Sequence, residues 1–259
     1  METAAPIGLF DGNVLVGPLN QHPPGAPEDV PALIATMDHY GLQHALVTHT
    51  IAKWHDSMTG NARLMRELAG QPRLVACWAV LPAATGEAPP EQEQVARLLD
   101  SGARAARLCP PAHKVRLEPW VVDPLLGALA ERRAPVLLDF DTRHWSEELP
   151  WSAIERIART YPDLPIVLLR QGHADLRTLY PLLDRCPNVH VETSYMLGHD
   201  AVRLLAERWG ADRLLFGSGL PIWDPGLPIT GLTYAGLRPE DLQAVAGGTL
   251  RRLIEGCLL

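Results

Sequence analysis

Apolar residues come along this chain in short unbroken runs, and between the runs they recur at every third or fourth position. The runs IGLFDGN (7–13), HALVTH (44–49), LVACWAV (74–80), AARLC (105–109), PVLLDF (135–140), PIVLL (165–169), VHVE (189–192) and RLLFG (213–217) are too short for helices. Each is mostly apolar, as a parallel strand covered on both faces must be. The segments between them carry helix spacing and helix ends. EDVPALIATMDHYG closes on Gly41, and GNARLMRELAG places Leu64, Leu68 and Ala69 on one side before Gly70. A glycine just past the last helical residue takes the left-handed turn that ends a helix. EQEQVARLLDSG, DPLLGALAERR, WSAIERIARTY, ADLRTLYPLLDR, DAVRLLAERWG and RPEDLQAVAGGTLRRLIEG repeat the pattern, several with proline or acids in the first turn.

Eight strand-and-helix units in sequence predict a (β/α)8 TIM barrel, a single domain over residues 1–259. A doubly wound open sheet is the alternative, disfavoured because no glycine-rich phosphate loop follows the first strand. The longest connections, near 12–28, 49–58 and 218–236, all follow strands. That end of a barrel carries the active site, so these proline- and tryptophan-rich loops are expected to frame a pocket.

Composition narrows the partners. A formal charge of −7 over 259 residues gives no basic face for nucleic acid. Nearly all the basic residues are arginine, the only lysines being Lys53 and Lys114. No apolar stretch is long enough to span a bilayer, and the amino terminus METAAPIGLFDG lacks the features of a secretory signal. Cys77, Cys109, Cys186 and Cys257 are scattered, which fits free thiols and a cytoplasmic location.

Six fragments in barrel order then carry a family resemblance. They are TGNARLMRELAGQPRLVACWAVLP, GARAARLCPPAH, ERRAPVLLDFD, YPDLPIVLLRQGH, GADRLLFGSGLP and AVAGGTLRRLI. Together they resemble the amidohydrolase-related family of metal-dependent TIM-barrel hydrolases and decarboxylases, and the match runs over almost the whole chain. The resemblance implies a divalent cation held by two histidines of strand 1, histidines of strands 5 and 6 and an aspartate after strand 8. At those positions this chain has Asn13, Leu15, Asp139, Arg170 and Gly219. An arginine repels a cation, so no metal and no other cofactor is expected.

The residues left at the strand ends support two kinds of reading. Asp139 and Arg170 close adjacent strands and are expected to face one another. They form either a structural ion pair or, with Arg107 of strand 4, a grip for a substrate carboxylate. Glu192, Ser194 and Tyr195 close strand 7. Asp139, Glu192 and Asp11 are the candidate bases, since a carboxylate walled in by apolar residues has its pKa raised toward a useful range. Asn13, His49 and Trp223 are candidate substrate contacts. Trp54 and Trp145 share the top loops with Trp223, and His113, His144 and His173 lie near them. Cys109 reads as a packing cysteine, and Ser218, between glycines, as part of a tight reversal.

Three functions remain open. The first is a metal-independent hydrolase or lyase acting on a small anionic substrate, a carboxylate or lactone. The second is a non-catalytic barrel serving as a ligand sensor or complex subunit. The third keeps the parent activity through a metal relocated among His49, Asp139 and His173. A homodimer is the family's expectation.

Overall fold

The computed structural model describes residues 8–21, 23–141 and 147–259. His144 and Trp145 lie outside the described residues. Eight strands form one parallel sheet in sequential order: β1 (Leu9–Val16), β2 (Leu42–His49), β3 (Leu74–Ala79), β4 (Ala105–Leu108), β5 (Val136–Leu138), β6 (Ile166–Leu168), β7 (Val189–Glu192) and β8 (Leu214–Leu215). The segment after β8 returns to β1. Gly12 N–H donates to the Phe216 carbonyl at 2.9 Å, Gly219 N–H to the Asn13 carbonyl at 3.1 Å, and Leu15 N–H to the Leu220 carbonyl at 2.8 Å. With these bonds the sheet closes on itself, and the fold is the TIM barrel expected.

Helices cover the outside: α1 (Val30–Tyr40), α2 (Thr50–Trp54), α3 (Ser57–Glu67), α4 (Glu91–Asp100), α5 (Pro110–His113), α6 (Pro119–Glu131), α7 (Trp151–Thr160), α8 (Leu176–Arg185), α9 (Ala201–Trp209), α10 (Gly226–Thr233), α11 (Pro239–Gln243) and α12 (Thr249–Glu255). Gly41 ends α1 in the left-handed conformation, φ 71°, and takes two carbonyls of the last turn with its N–H, as the sequence predicted. Unpredicted helices stand in three loops, one of them α5 in the loop after β4. Residues 49–58 hold α2, and 218–236 hold α10. Both are too short for an apolar period to show in the sequence.

Period-two alternation sorts the strand residues. Phe10, Leu46, Cys77, Ala105, Leu137, Val167 and Leu215 pack inside the barrel, joined by Leu250, Leu253 and Ile254 of α12. Neighbours such as Ala45, Val47, Leu138 and Leu168 join the helices in the larger outer cluster. Two residues beyond this inner layer, at the carboxyl ends, inward positions turn polar: Arg107 after Ala105, Asp139 after Leu137 and Glu192 after His190. No helix among the described residues is long and apolar enough to cross a membrane.

Candidate active site at the carboxyl ends of the strands

Local breaks in regularity aim the key side chains inward. In β1 the register to β2 slips between Asp11 and Val14. Asn13 N–H donates to Asp11 Oδ1 at 3.0 Å, which fixes this bulge. A bulge re-aims the residues beyond it, and Asn13 faces the interior although Phe10, three residues earlier, does too. Arg170 follows inward-facing Leu169 and would point out by alternation. Its φ of 54° turns it back, a left-handed conformation that costs energy in a residue with a Cβ.

Asp139 sits at the centre, with no exposed surface. Lys53 Nζ of α2 donates to its Oδ2 at 2.8 Å, Arg107 Nε lies 3.3 Å from the same oxygen, and Arg170 Nη2 pairs with Oδ1. Lys53 Nζ also contacts Asp141 at 2.6 Å. The expected Asp139–Arg170 pair is present, and the sequence reading missed Lys53, the third cation. The available signal was its position, one of two lysines placed in a loop after a strand.

Glu192 forms the second centre. Its carboxylate accepts from Asn13 Nδ2 at 2.9 Å, Ser194 Oγ at 2.9 Å, the Arg170 N–H at 3.2 Å and the Ser194 N–H. Gly217 makes room for it, since a Cβ there would stand 2.2 Å from Glu192 Oε1. Asn13 joins the centres, giving Nδ2 to Glu192 and accepting from Arg107 at Oδ1. Among the described residues, Arg107 Nε and Arg170 Nε are buried without a hydrogen-bond acceptor. Arg170 is 8% exposed and the Asp141 side chain 32%, so these two are the members of the cluster that meet solvent.

Burial dominates the electrostatics. It raises Glu192, against its four donors, and raises Asp11 to about 6. It lowers Lys53 to about 8, helped by the charges of Arg170 and Arg107, and lowers Arg170 to about 10. Cys109 is fully buried and its thiol is pushed up to about 11, which keeps it a protonated packing residue.

Other sequence candidates lie elsewhere. His49 does not join the cluster: its Nδ1 caps α2, accepting from Ile51 N–H at 3.1 Å, and its Nε2 lies 3.5 Å from Glu67. It follows inward-facing Thr48, so alternation carries it to the helix side. Asp11 works at the seam, where Oδ1 accepts the Ser218 N–H at 2.9 Å while Oδ2 has no partner among the described residues. Trp223 is half-buried beside Gly219, and its ring is 5.9 Å from that of Tyr195. Ser218 Oγ accepts the Leu220 N–H at 3.0 Å, holding the reversal. No group of three or more His, Cys, Asp or Glu side chains is placed to hold a metal ion among the described residues.

Comparison with known proteins places this geometry. The family model described as amidohydrolase matches residues 19–255. A search of functionally curated proteins gives no match. Solved structures share the fold at low identity. An uncharacterised TIM-barrel protein from Bordetella bronchiseptica is 16% identical, with TM-score 0.76 over 96% of this chain and 99% of that one. The 5-carboxyvanillate decarboxylase of Sphingomonas paucimobilis is also 16% identical, with TM-score 0.75 over 96% and 99%. A dihydroxybenzoic acid decarboxylase from Polaromonas sp. JS666, solved with bound manganese and 2-nitroresorcinol, is 15% identical, with TM-score 0.71 over 96% and 97%. The chain belongs to the amidohydrolase family.

Proposed function

We propose that the mouth of the barrel binds a small carboxylate on Arg170 and Arg107 and acts on it as a hydrolase or lyase without a divalent cation. The observation that carries this reading is the convergence of Lys53, Arg107 and Arg170 on one buried carboxylate. Three cations face Asp139 and Asp141, and burial disfavours the charge of nearby Glu192. The crowding of three cations on Asp139, with Arg170 Nε left without an acceptor among the described residues, suits an incoming anion. That two solved relatives are named as decarboxylases of aromatic carboxylates supports the substrate class.

The residues do not fit the family's cation. Lys53 and Arg170 already hold both oxygens of Asp139, and a dication there would stand against positive groups at contact distance. Asp139 is the anchor of the cations, its two oxygens taken up by Lys53, Arg107 and Arg170. Lys53, lowered to about 8, is able to exchange a proton near neutral pH, and burial favours the protonated form of nearby Glu192.

Calorimetric titration with benzoate tests the binding half of this reading. Wild-type protein is expected to bind it. Arg170→Gln should weaken binding by about tenfold or more, since a charge-assisted hydrogen bond contributes ~1.5–3 kcal/mol. Equal affinity in the variant, or no binding to the wild type, contradicts the reading.

A further inference from the structure

Lys53 does more than the anion-binding reading requires. A lysine normally keeps its ammonium in water on a flexible stem, yet this one is 1% exposed. It is held on α2, whose backbone at Ala52 packs against Gly60 of α3. Its Nζ lies 2.8 Å from Asp139 and 2.6 Å from Asp141, and Asp141 is the partly solvent-facing member of the cluster. Arginine does not lose its proton under ordinary conditions, and lysine does. The excess charge of the three-cation cluster is therefore relieved most easily at Lys53.

We propose that Lys53 is a covalent catalytic residue whose Nζ forms an imine with the carbonyl of a small 3-oxo acid, the acid's carboxylate resting beside Arg170. The proposal rests on the carboxylate-binding reading above and names the substrate class for it. A lysine beside other cations in a desolvated pocket is the arrangement that activates an amine nucleophile, and the lowering of Lys53 to about 8 agrees with it.

The protons balance within the cluster. Lys53 passes one proton to Asp141, and the free amine adds to the substrate carbonyl carbon. The former carbonyl oxygen takes one proton from the nitrogen and one from Asp141 and leaves as water, giving a protonated imine. The bond from the α-carbon to the carboxylate then breaks, its electron pair moving toward the imine nitrogen as an enamine, and CO2 leaves. A proton from solvent goes to the α-carbon. Water adds to the imine carbon, releasing the ketone and restoring the amine.

Borohydride trapping with acetoacetate, read by intact and peptide mass, tests this directly. The chain contains one other lysine, Lys114, which is exposed and serves as an internal control. The expected result is one reduced adduct, on the peptide carrying Lys53, that has lost CO2. Lys53→Met should abolish it. Lys53→Arg, which keeps the positive charge should the methionine variant fail to fold, should also give none. An adduct spread equally over Lys114 overturns the proposal, and one retaining the carboxylate overturns the decarboxylation step. Calorimetry with unreactive propionate separates the two levels of the account. Propionate binding without any acetoacetate adduct overturns the imine and leaves the anion site standing, whereas no propionate binding overturns both.

Discussion

Asp11 stands in an environment that an aspartate seldom occupies. It is fully buried at the β1–β8 seam, accepts two backbone N–H groups through Oδ1, and leaves Oδ2 unpartnered among the described residues. Burial raises its pKa from 3.8 to about 6. The folded protein then holds this proton over a range where the unfolded chain has released it. Stability from this group is fullest below pH 3.8, falls as pH rises toward 6, and stays reduced above. That is the reverse of a salt-bridged aspartate. Asp11→Asn keeps the Oδ1 acceptor and removes the charge. Its stability relative to wild type, measured by urea unfolding from pH 4 to 7, should rise by up to about 3 kcal/mol and then level off. A difference that does not change with pH contradicts this account.

At this scale the sequence pointed to the meeting of Asp139 and Arg170, because both close adjacent strands at family positions, with Arg107 on the strand beside them. It did not show Arg170's left-handed backbone or the bulge that turns Asn13, since both are departures from alternation. Lys53 was passed over for another reason. The five residues of α2 carry no repeat, and an ammonium in a loop is ordinarily solvated.

Among elements, the contact of α2 with α3 positions the site. A Cβ on Gly60 would stand 2.1 Å from the Ala52 nitrogen and 2.4 Å from its Cα, so the two helices pack backbone to backbone. Asn61, next in α3, clips the end of β3, donating to the Ala79 carbonyl at 2.7 Å and accepting its N–H at 3.0 Å. The GN pair of the sequence motif is thus a hinge-free mount for the helix that carries Lys53. Gly60→Ala should push α2 away, costing about 1–3 kcal/mol in urea unfolding as overpacking does, and should weaken benzoate binding along with it. Wild-type stability and affinity in this variant contradict the positioning role of the contact. The strands were readable as elements because each is a buried apolar run. β8 was overestimated, since only Leu214–Leu215 of 213–217 pairs with β7. Residues 216–220 bond instead to β1 and to the turn that includes Ala244–Gly248, which apolarity alone cannot reveal.

Over the whole molecule, the barrel is an apolar cylinder capped by one ring of charged side chains, on the scaffold of the amidohydrolase family. The scaffold was legible because eight buried strands and the helices between them repeat along the entire chain. The charged ring was legible only in part, since Asp139 and Arg170 were expected to face one another but Lys53 was not expected beside them. The central claim is that side-chain cations stand where a divalent cation would otherwise be needed. Metal content of protein purified without chelators, measured before and after chelator treatment together with benzoate affinity, tests it most directly. The account predicts far less than one zinc or manganese per chain and an affinity unchanged by the chelator. Stoichiometric metal, with benzoate binding lost on its removal, would contradict it.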